Sequence, residues 1–241
     1  PVAEAAGWRF SLGQWALFSV LAAIPLITLL GNSTPEPKPE VESGGKSIWR
    51  APTAWAIAGM QAMTSVFGYV SFAWLPLLLV EHNSVTVAEG GLYLSLFALM
   101  GLPTSIFVPI LANRYPQLQV WIVVFSGVMG AGGVLGMLFA GNSWLWFFVI
   151  MAGFGPTMFP LALTLFNLRS EKRSTVLAVS AFGQGLSYGT ASVAVIVVGV
   201  LRELTGGWEA ALWLMFGFAL LAIPVSIQIA KRKTIDSELS R

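Results

Sequence analysis

The stretch NSTPEPKPEVESGGKSIWR, residues Asn32 to Arg50, interrupts a chain that is otherwise dominated by apolar runs. Pro35, Pro37 and Pro39 stiffen its first half, and Gly44 and Gly45 loosen its second. This is the composition of a polar linker, not of a packed element. One apolar run of membrane length precedes it and six follow it. The six later runs are joined by short connections, which predicts a single bundle of sequentially antiparallel helices. The linker sets the first run apart from that bundle.

Composition supports a bilayer as the solvent for these runs. The 241 residues are 56% hydrophobic and only 10% charged, and the mean hydropathy is +0.77. Soluble domains carry about 25% charged residues. A helix needs roughly 20 apolar residues to cross the hydrocarbon core. Stretches of that kind lie near 10–30, 53–80, 90–112, 118–140, 144–167, 175–201 and 209–230. Each reads as helix, since an isolated strand would leave its amides unpaired in lipid and the alternation of a membrane barrel is missing. The predicted fold class is therefore an all-α polytopic membrane protein with seven transmembrane helices.

Charge placement orients the spans. Lys38, Lys46, Arg50, Arg114, Arg169, Lys172, Arg173, Lys231, Arg232, Lys233 and Arg241 fall on one side, and only Arg9 and Arg202 on the other. Positive residues mark cytoplasmic loops. The first span is thus expected to enter from outside and the C-terminus to lie in the cytoplasm. The net charge of +2 and the confinement of the cations to loops argue against nucleic acid as a partner. The absence of cysteine excludes disulfides and thiolate ligands, and the single histidine, His82, supplies no zinc cluster. No nucleophile–base pair or metal set is visible, so no enzyme, catalytic residue, metal or cofactor is expected. Pro1 to Arg9 carries none of the regions of a signal peptide.

A faint repeat spans the linker. At an offset of 200 residues Gly7 matches Gly207, Trp8 matches Trp208, and Leu12, Phe18, Leu21, Ala22 and Ile27 match Leu212, Phe218, Leu221, Ala222 and Ile227. A match between two membrane-length helices so far apart predicts a duplicated architecture. It also predicts that the chain starts near the end of a first copy and holds the second copy whole.

These features resemble the major facilitator superfamily, whose members have two six-helix halves joined by a long cytoplasmic linker. The resemblance implies that residues 1–31 hold the last helix of an N-terminal half and 32–50 the inter-half linker. Residues 51–230 would be the C-terminal six-helix bundle and 231–241 a cytoplasmic tail. Shorter words are similar to the cyanate-permease and nitroimidazole-exporter branch (CynX/NimT-like). They are Tyr69 with Ala73-Trp74-Leu75-Pro76, Ser95-Leu96-Phe97-Ala98 with Gly101 and Pro103, Phe159-Pro160-Leu161-Ala162-Leu163-Thr164, and Gln184-Gly185 with Tyr188. The implied function is secondary active transport by alternating access in the plasma (inner) membrane. The solute would be small, an anion or a nitroimidazole-like compound, and the implied partners are that solute, the lipid bilayer and the missing N-terminal half. Two departures stand out. Asn113-Arg114 occupies the loop position where the superfamily has an Asp-Arg gate, and Thr64 stands where the branch carries a glutamine. On the residues alone, a structural or regulatory membrane subunit, or a drug or monocarboxylate carrier of another branch, stays open.

The candidate site is uncharged. All eleven acids lie in loops or at helix ends, so the intramembrane carboxylate that marks proton coupling is missing from these spans. At about 100° per residue, Gln61, Thr64, Ser65, Gly68 and Phe72 share one face of the second span, with Tyr69 at its edge. Ser180, Gln184 and Ser187 share a face of the sixth span, with Tyr188 at its edge. Amides, hydroxyls and phenols replace the water lost by a small polar solute. The expected substrate-binding residues are Gln61, Thr64, Tyr69, Gln184 and Tyr188, in a cavity between the two stripes. Interhelical packing by the same residue types is the competing reading. Asn113 and Arg114 are the expected gate, and Gly155, Pro156 and Pro160 an expected helix kink. Gly132 and Gly136, four apart, predict a close helix contact.

Overall fold

A computed structural model describes residues 7–31 and 48–240, and within those limits the chain is helical with no strand. It divides into two compact units, Pro1–Val41 and Glu42–Arg241. Most of the expected linker, 32–47, lies outside the described residues. The first unit contains helix α1, Trp8–Gly31, with Pro25 inside it and Trp15 against Phe18 at 5.7 Å between ring centroids. The expected span 10–30 falls on this helix.

The second unit contains six helices long and apolar enough to cross a membrane: Pro52–Asn83, Val87–Arg114, Leu118–Phe139, Asn142–Leu168, Arg173–Thr205 and Glu209–Ala230. Three of them are broken, and each break has a proline just beyond it. A proline cannot donate to the carbonyl four residues back, so the helix loses a rung there. Pro103 follows the break between α3 (Val87–Leu99) and α4 (Gly101–Arg114). Pro156 lies in the 3-10 turn Gly155–Thr157 between α6 (Leu145–Gly153) and α7 (Met158–Leu168). Pro224 follows the break between α9 (Glu209–Leu220) and α10 (Ala222–Ala230). The unbroken spans are α2 (Pro52–Asn83), α5 (Leu118–Phe139) and α8 (Arg173–Thr205). Of the repeated tryptophans, Trp8 is the first residue of α1 and Trp208 the N-cap of α9.

Close packing between spans depends on glycine, because helices in lipid associate through fit rather than through expulsion of water. A Cβ on Gly133 of α5 would stand 2.7 Å from the Cα of Ala152 on α6, and one on Gly132 would meet Met151 at the same distance. A Cβ on Gly136 would fall on the ring of Phe148. The expected Gly132/Gly136 contact is therefore present, and Gly133 between them makes the closest backbone approach. The α2–α8 pair runs nearly the full length of both helices. The indole N–H of Trp74 donates to Val195 O (3.0 Å), and Gly199 leaves room for the same ring.

Polar clasps hold the two ends. At the end away from the basic loops, Glu81 of α2 takes a bidentate ion pair from Arg202 of α8, at 2.7 and 3.1 Å, and a hydrogen bond from the indole of Trp208 at 2.8 Å. At the basic end the short helix α11 (Ile235–Leu239) closes over three spans. Glu238 accepts from the amide and hydroxyl of Thr53, both at 2.9 Å, which neutralises the exposed amides at the start of α2. Asp236 does the same before α8, accepting from Glu171 N and Thr175 Oγ1 at 2.6 Å each. Ile235 N donates to Arg169 O at 2.7 Å.

Arg169 is the unexpected member of this clasp. The charge pattern places it among the loop cations, yet the residue is buried. Its Nη2 donates to Gln119 Oε1 at 2.7 Å and, at 3.4 Å, to Ile229 O, while Nη1 reaches Lys233 O at 3.4 Å. Gln119 in turn donates to Ala112 O at 3.1 Å. Burial, and after it the nearby Arg232, lowers the Arg169 pKa from its ordinary value. A guanidinium starts so high that it stays charged.

Candidate functional site

A cavity of about 730 Å³ opens between α2, the α3–α4 span and the α6–α7 span. That volume suits a small organic molecule. Its α2 wall is Thr64, Ser65, Gly68, Tyr69 and Phe72, a set spaced along one helical face. The α4 wall is Gly101, Thr104, Ser105, Pro109 and Asn113, preceded by Phe97 and Ala98 at the end of α3. The third wall runs from Gly153 and Pro156 through Phe159, Pro160 and Thr164 to Asn167. Among the described residues no acid, lysine, arginine or histidine lines it.

Helix breaks shape this cavity. The proline-associated interruptions of α3–α4 and α6–α7 pack against each other at its edge. Gly153 packs against the carbonyl of Phe97, where a Cβ would stand 2.7 Å away. Gly155 is buried against Phe67 and Gly130, and Ser126 donates to its carbonyl. The expected kink residues thus occur together: Gly155 buttresses the turn, and Pro156 and Pro160 face the cavity.

Four of the wall hydroxyls have already committed their protons. Thr64 donates to Gln61 O (2.9 Å), Thr104 to Gly101 O (3.0 Å), Ser105 to Leu102 O (2.9 Å) and Thr164 to Pro160 O (2.8 Å). A carbonyl only accepts, so each of these hydroxyls can only accept from a ligand. Asn113 and Asn167 each spend one amide N–H on a carbonyl of their own helix, at 2.7 and 3.4 Å. Their side-chain oxygens add further acceptors. The wall is therefore rich in hydrogen-bond acceptors set among aromatic and proline rings.

The expected residues divide. Thr64 and Tyr69 line this cavity. Gln61 does not: it is fully buried, with its amide beside Gly183, whose Cβ would come within 3.0 Å of Oε1. Neither Gln61 Oε1 nor Nε2 has a hydrogen-bond partner. Ser187 on the α8 stripe is also buried, 2.5 Å from Ser65 Oγ and 3.3 Å from Gln61 O. The two stripes thus pack together at their centre, and the large cavity lies to one side of them instead of between them. Tyr188 stacks edge-on to Tyr69 at 6.2 Å, and the two border a second, 370 Å³ hollow with Ala191, Ser192 and Val195. Gln184 is exposed and borders neither cavity. Of the expected gate, Asn113 lines the basic end of the cavity, while the Arg114 guanidinium lies 5.7 Å from the Tyr115 ring centre.

Sequence reasoning passed over Ser105, Asn113 as a wall residue, and the Thr164–Asn167 pair. The signal was available. Ser105, Pro109 and Asn113 recur every fourth residue, and Pro160, Thr164 and Asn167 share a face in the same way. Among the described residues no group of three or more acidic or histidine side chains could hold a metal ion.

Residues 2–192 match the family model described as Major Facilitator Superfamily. The uncharacterized transporter YycB of Bacillus subtilis (strain 168) is 31% identical over 230 residues, which cover 94% of this chain and 56% of that protein. The chain thus spans little more than half the length of the relative it matches. No solved structure matches it.

Proposed function

The chain belongs to the Major Facilitator Superfamily, and on that premise we propose that it is the C-terminal part of a secondary transporter. In this reading α1 is the last helix of a first half and 32–50 the cytoplasmic inter-half linker. The basic end faces the cytoplasm of a plasma (inner) membrane. The 730 Å³ cavity holds the solute near the midplane while the two halves rock about it. Thr64 and Tyr69 bind it, joined by Thr104, Thr164 and Asn167. Tyr188 acts through Tyr69 from the side hollow, and Gln184 is a contact only if the other half brings the solute to it. Asn113 closes the cytoplasmic end as an uncharged gate.

The acceptor-rich wall carries the choice of solute. Six polar groups that can only accept, or that offer an extra oxygen, suit a neutral molecule bearing N–H or O–H donors. A bare anion such as cyanate brings more lone pairs and no donor, and no cation lines these walls to offset it. We therefore favour the nitroimidazole-like side of the resemblance over the small-anion side.

The test is counterflow in proteoliposomes holding the full-length transporter. 4-Nitroimidazole, with its ring N–H, is compared with 1-methyl-4-nitroimidazole and with cyanate. The N–H compound is expected to exchange fastest, and Thr164→Val to slow it about fivefold, the worth of one hydrogen bond near 1 kcal/mol. Equal exchange of the methylated compound, or preferred exchange of cyanate, would refute the solute class. Counterflow of none of them above protein-free vesicles would count against the carrier reading and favour a non-transporting subunit.

A further inference from the structure

At the basic end of the second unit a separate groove of about 450 Å³ runs between the start of α2 and the end of α10. Its floor is apolar: Ala56, Val225 and Pro224. Its mouth is polar and cationic. Arg50 lines it, and Lys231 donates to the lining residue Gln228 at 2.8 Å, which sets a second cation at the rim. Among the described residues no acidic side chain lines it.

One wall is an aromatic cluster. Trp49, Trp55 and Phe182 meet edge to face, with ring centroids 4.8 to 5.5 Å apart. The Trp55 indole donates to Trp49 O at 3.0 Å, which fixes the cluster just before α2 begins. Trp49 nonetheless leaves 64% of its surface exposed. Such exposure is costly in water, and tryptophan is the residue that favours the headgroup level of a bilayer. The groove stands at that level, since Arg50 lies two residues before α2 and Gln228 in the last turn of α10.

We propose that this groove binds the headgroup and upper acyl chain of one anionic phospholipid. The two cations take the phosphodiester, the Trp49 indole lies at the ester carbonyls, and one acyl chain runs down over Ala56 and Val225. Charge complementarity selects the lipid: Arg50 and Lys231 meet net negative charge in phosphatidylglycerol and none in phosphatidylcholine. The apolar floor selects a lipid over a free phosphate, which would bury nothing there. This inference does not depend on transport or on a solute.

Native mass spectrometry of the chain in a non-ionic detergent tests it, with 1-palmitoyl-2-oleoyl phosphatidylglycerol and the matching phosphatidylcholine as probes. One phosphatidylglycerol is expected to survive delipidating collision energy. Each basic residue near an anionic headgroup contributes about a fivefold factor, so phosphatidylcholine should bind about 25-fold more weakly. Arg50→Ala and Lys231→Ala should each cost about fivefold, and Arg50→Lys should retain most of the binding. Gln228→Trp, which fills the groove and also removes the bond that holds Lys231 at its rim, should abolish the tight lipid while circular dichroism stays unchanged. Equal retention of the two lipids, or tight binding that survives Gln228→Trp, overturns the proposal. Displacement of the lipid by millimolar glycerol 3-phosphate would also overturn it, because the site would then read a phosphate and not a lipid.

Discussion

Replacing Arg169 with methionine tests whether the basic end is held by a buried charge. Methionine keeps much of the volume and removes the guanidinium. Three donations are lost: a short one to Gln119 Oε1 at 2.7 Å and two long ones, to Ile229 O and Lys233 O at 3.4 Å. A charged hydrogen bond contributes about 1.5–3 kcal/mol, and the two long ones together about 1 kcal/mol. Gln119 is itself buried, so its oxygen is left without a partner. The expected loss is about 3 kcal/mol in reversible SDS unfolding in mixed micelles. Part of it should appear locally. The Ile235 amide still donates to the Arg169 carbonyl in the variant, so any change there reports the side chain alone. Losing the bond to Lys233 O should speed hydrogen exchange in the tail peptide about threefold to fivefold. Arg169→Met combined with Gln119→Leu removes the orphaned amide oxygen but also the Gln119 donation to Ala112 O, and should recover only a minor part of the stability. Unfolding of the single variant within 0.5 kcal/mol of the parent, with unchanged tail exchange, would refute the reasoning.

Two further outcomes follow from the packing. Glu81→Ala should cost about 1 kcal/mol and less at high salt, because both partners of its ion pair are more than a third exposed; a salt-independent loss would assign the effect to Trp208 instead. Gly133→Ala should destabilise the bundle by about 1–3 kcal/mol, since the new methyl meets the backbone of Ala152, whereas Gly185→Ala, with open space around it, should not; equal stability of the two variants would show that α5 and α6 can part without cost.

Much of the architecture was legible because its causes are local. A run of apolar residues long enough for the hydrocarbon core must be helical in lipid, whatever its neighbours are. Six of the seven expected spans coincide with described membrane-length helices, and the prolines at 103, 156 and 224 mark the breaks. The helical period also placed Thr64, Ser65, Gly68, Tyr69 and Phe72 on one face, and that face does line the cavity. The same period put Gln61 on that face too, and there it misled. Gln61 lies one turn from Ser65, but its direction is settled by Gly183 and Phe166, residues more than a hundred positions away. Gly183 is the only kind of residue that leaves space for the amide, since a Cβ there would stand 2.5 Å from the Phe166 ring.

The sequence by itself therefore determined the solvent, the helices and the loops that carry the charge, since hydropathy and loop cations act over one or two turns. Only the tertiary structure decided which faces meet. It turned the α8 stripe onto α2, moved the cavity to the α4 and α7 side, and buried Arg169 under the tail. Those outcomes depend on steric fit between helices far apart in the chain, and a helix carries no record of which neighbour will leave room for it.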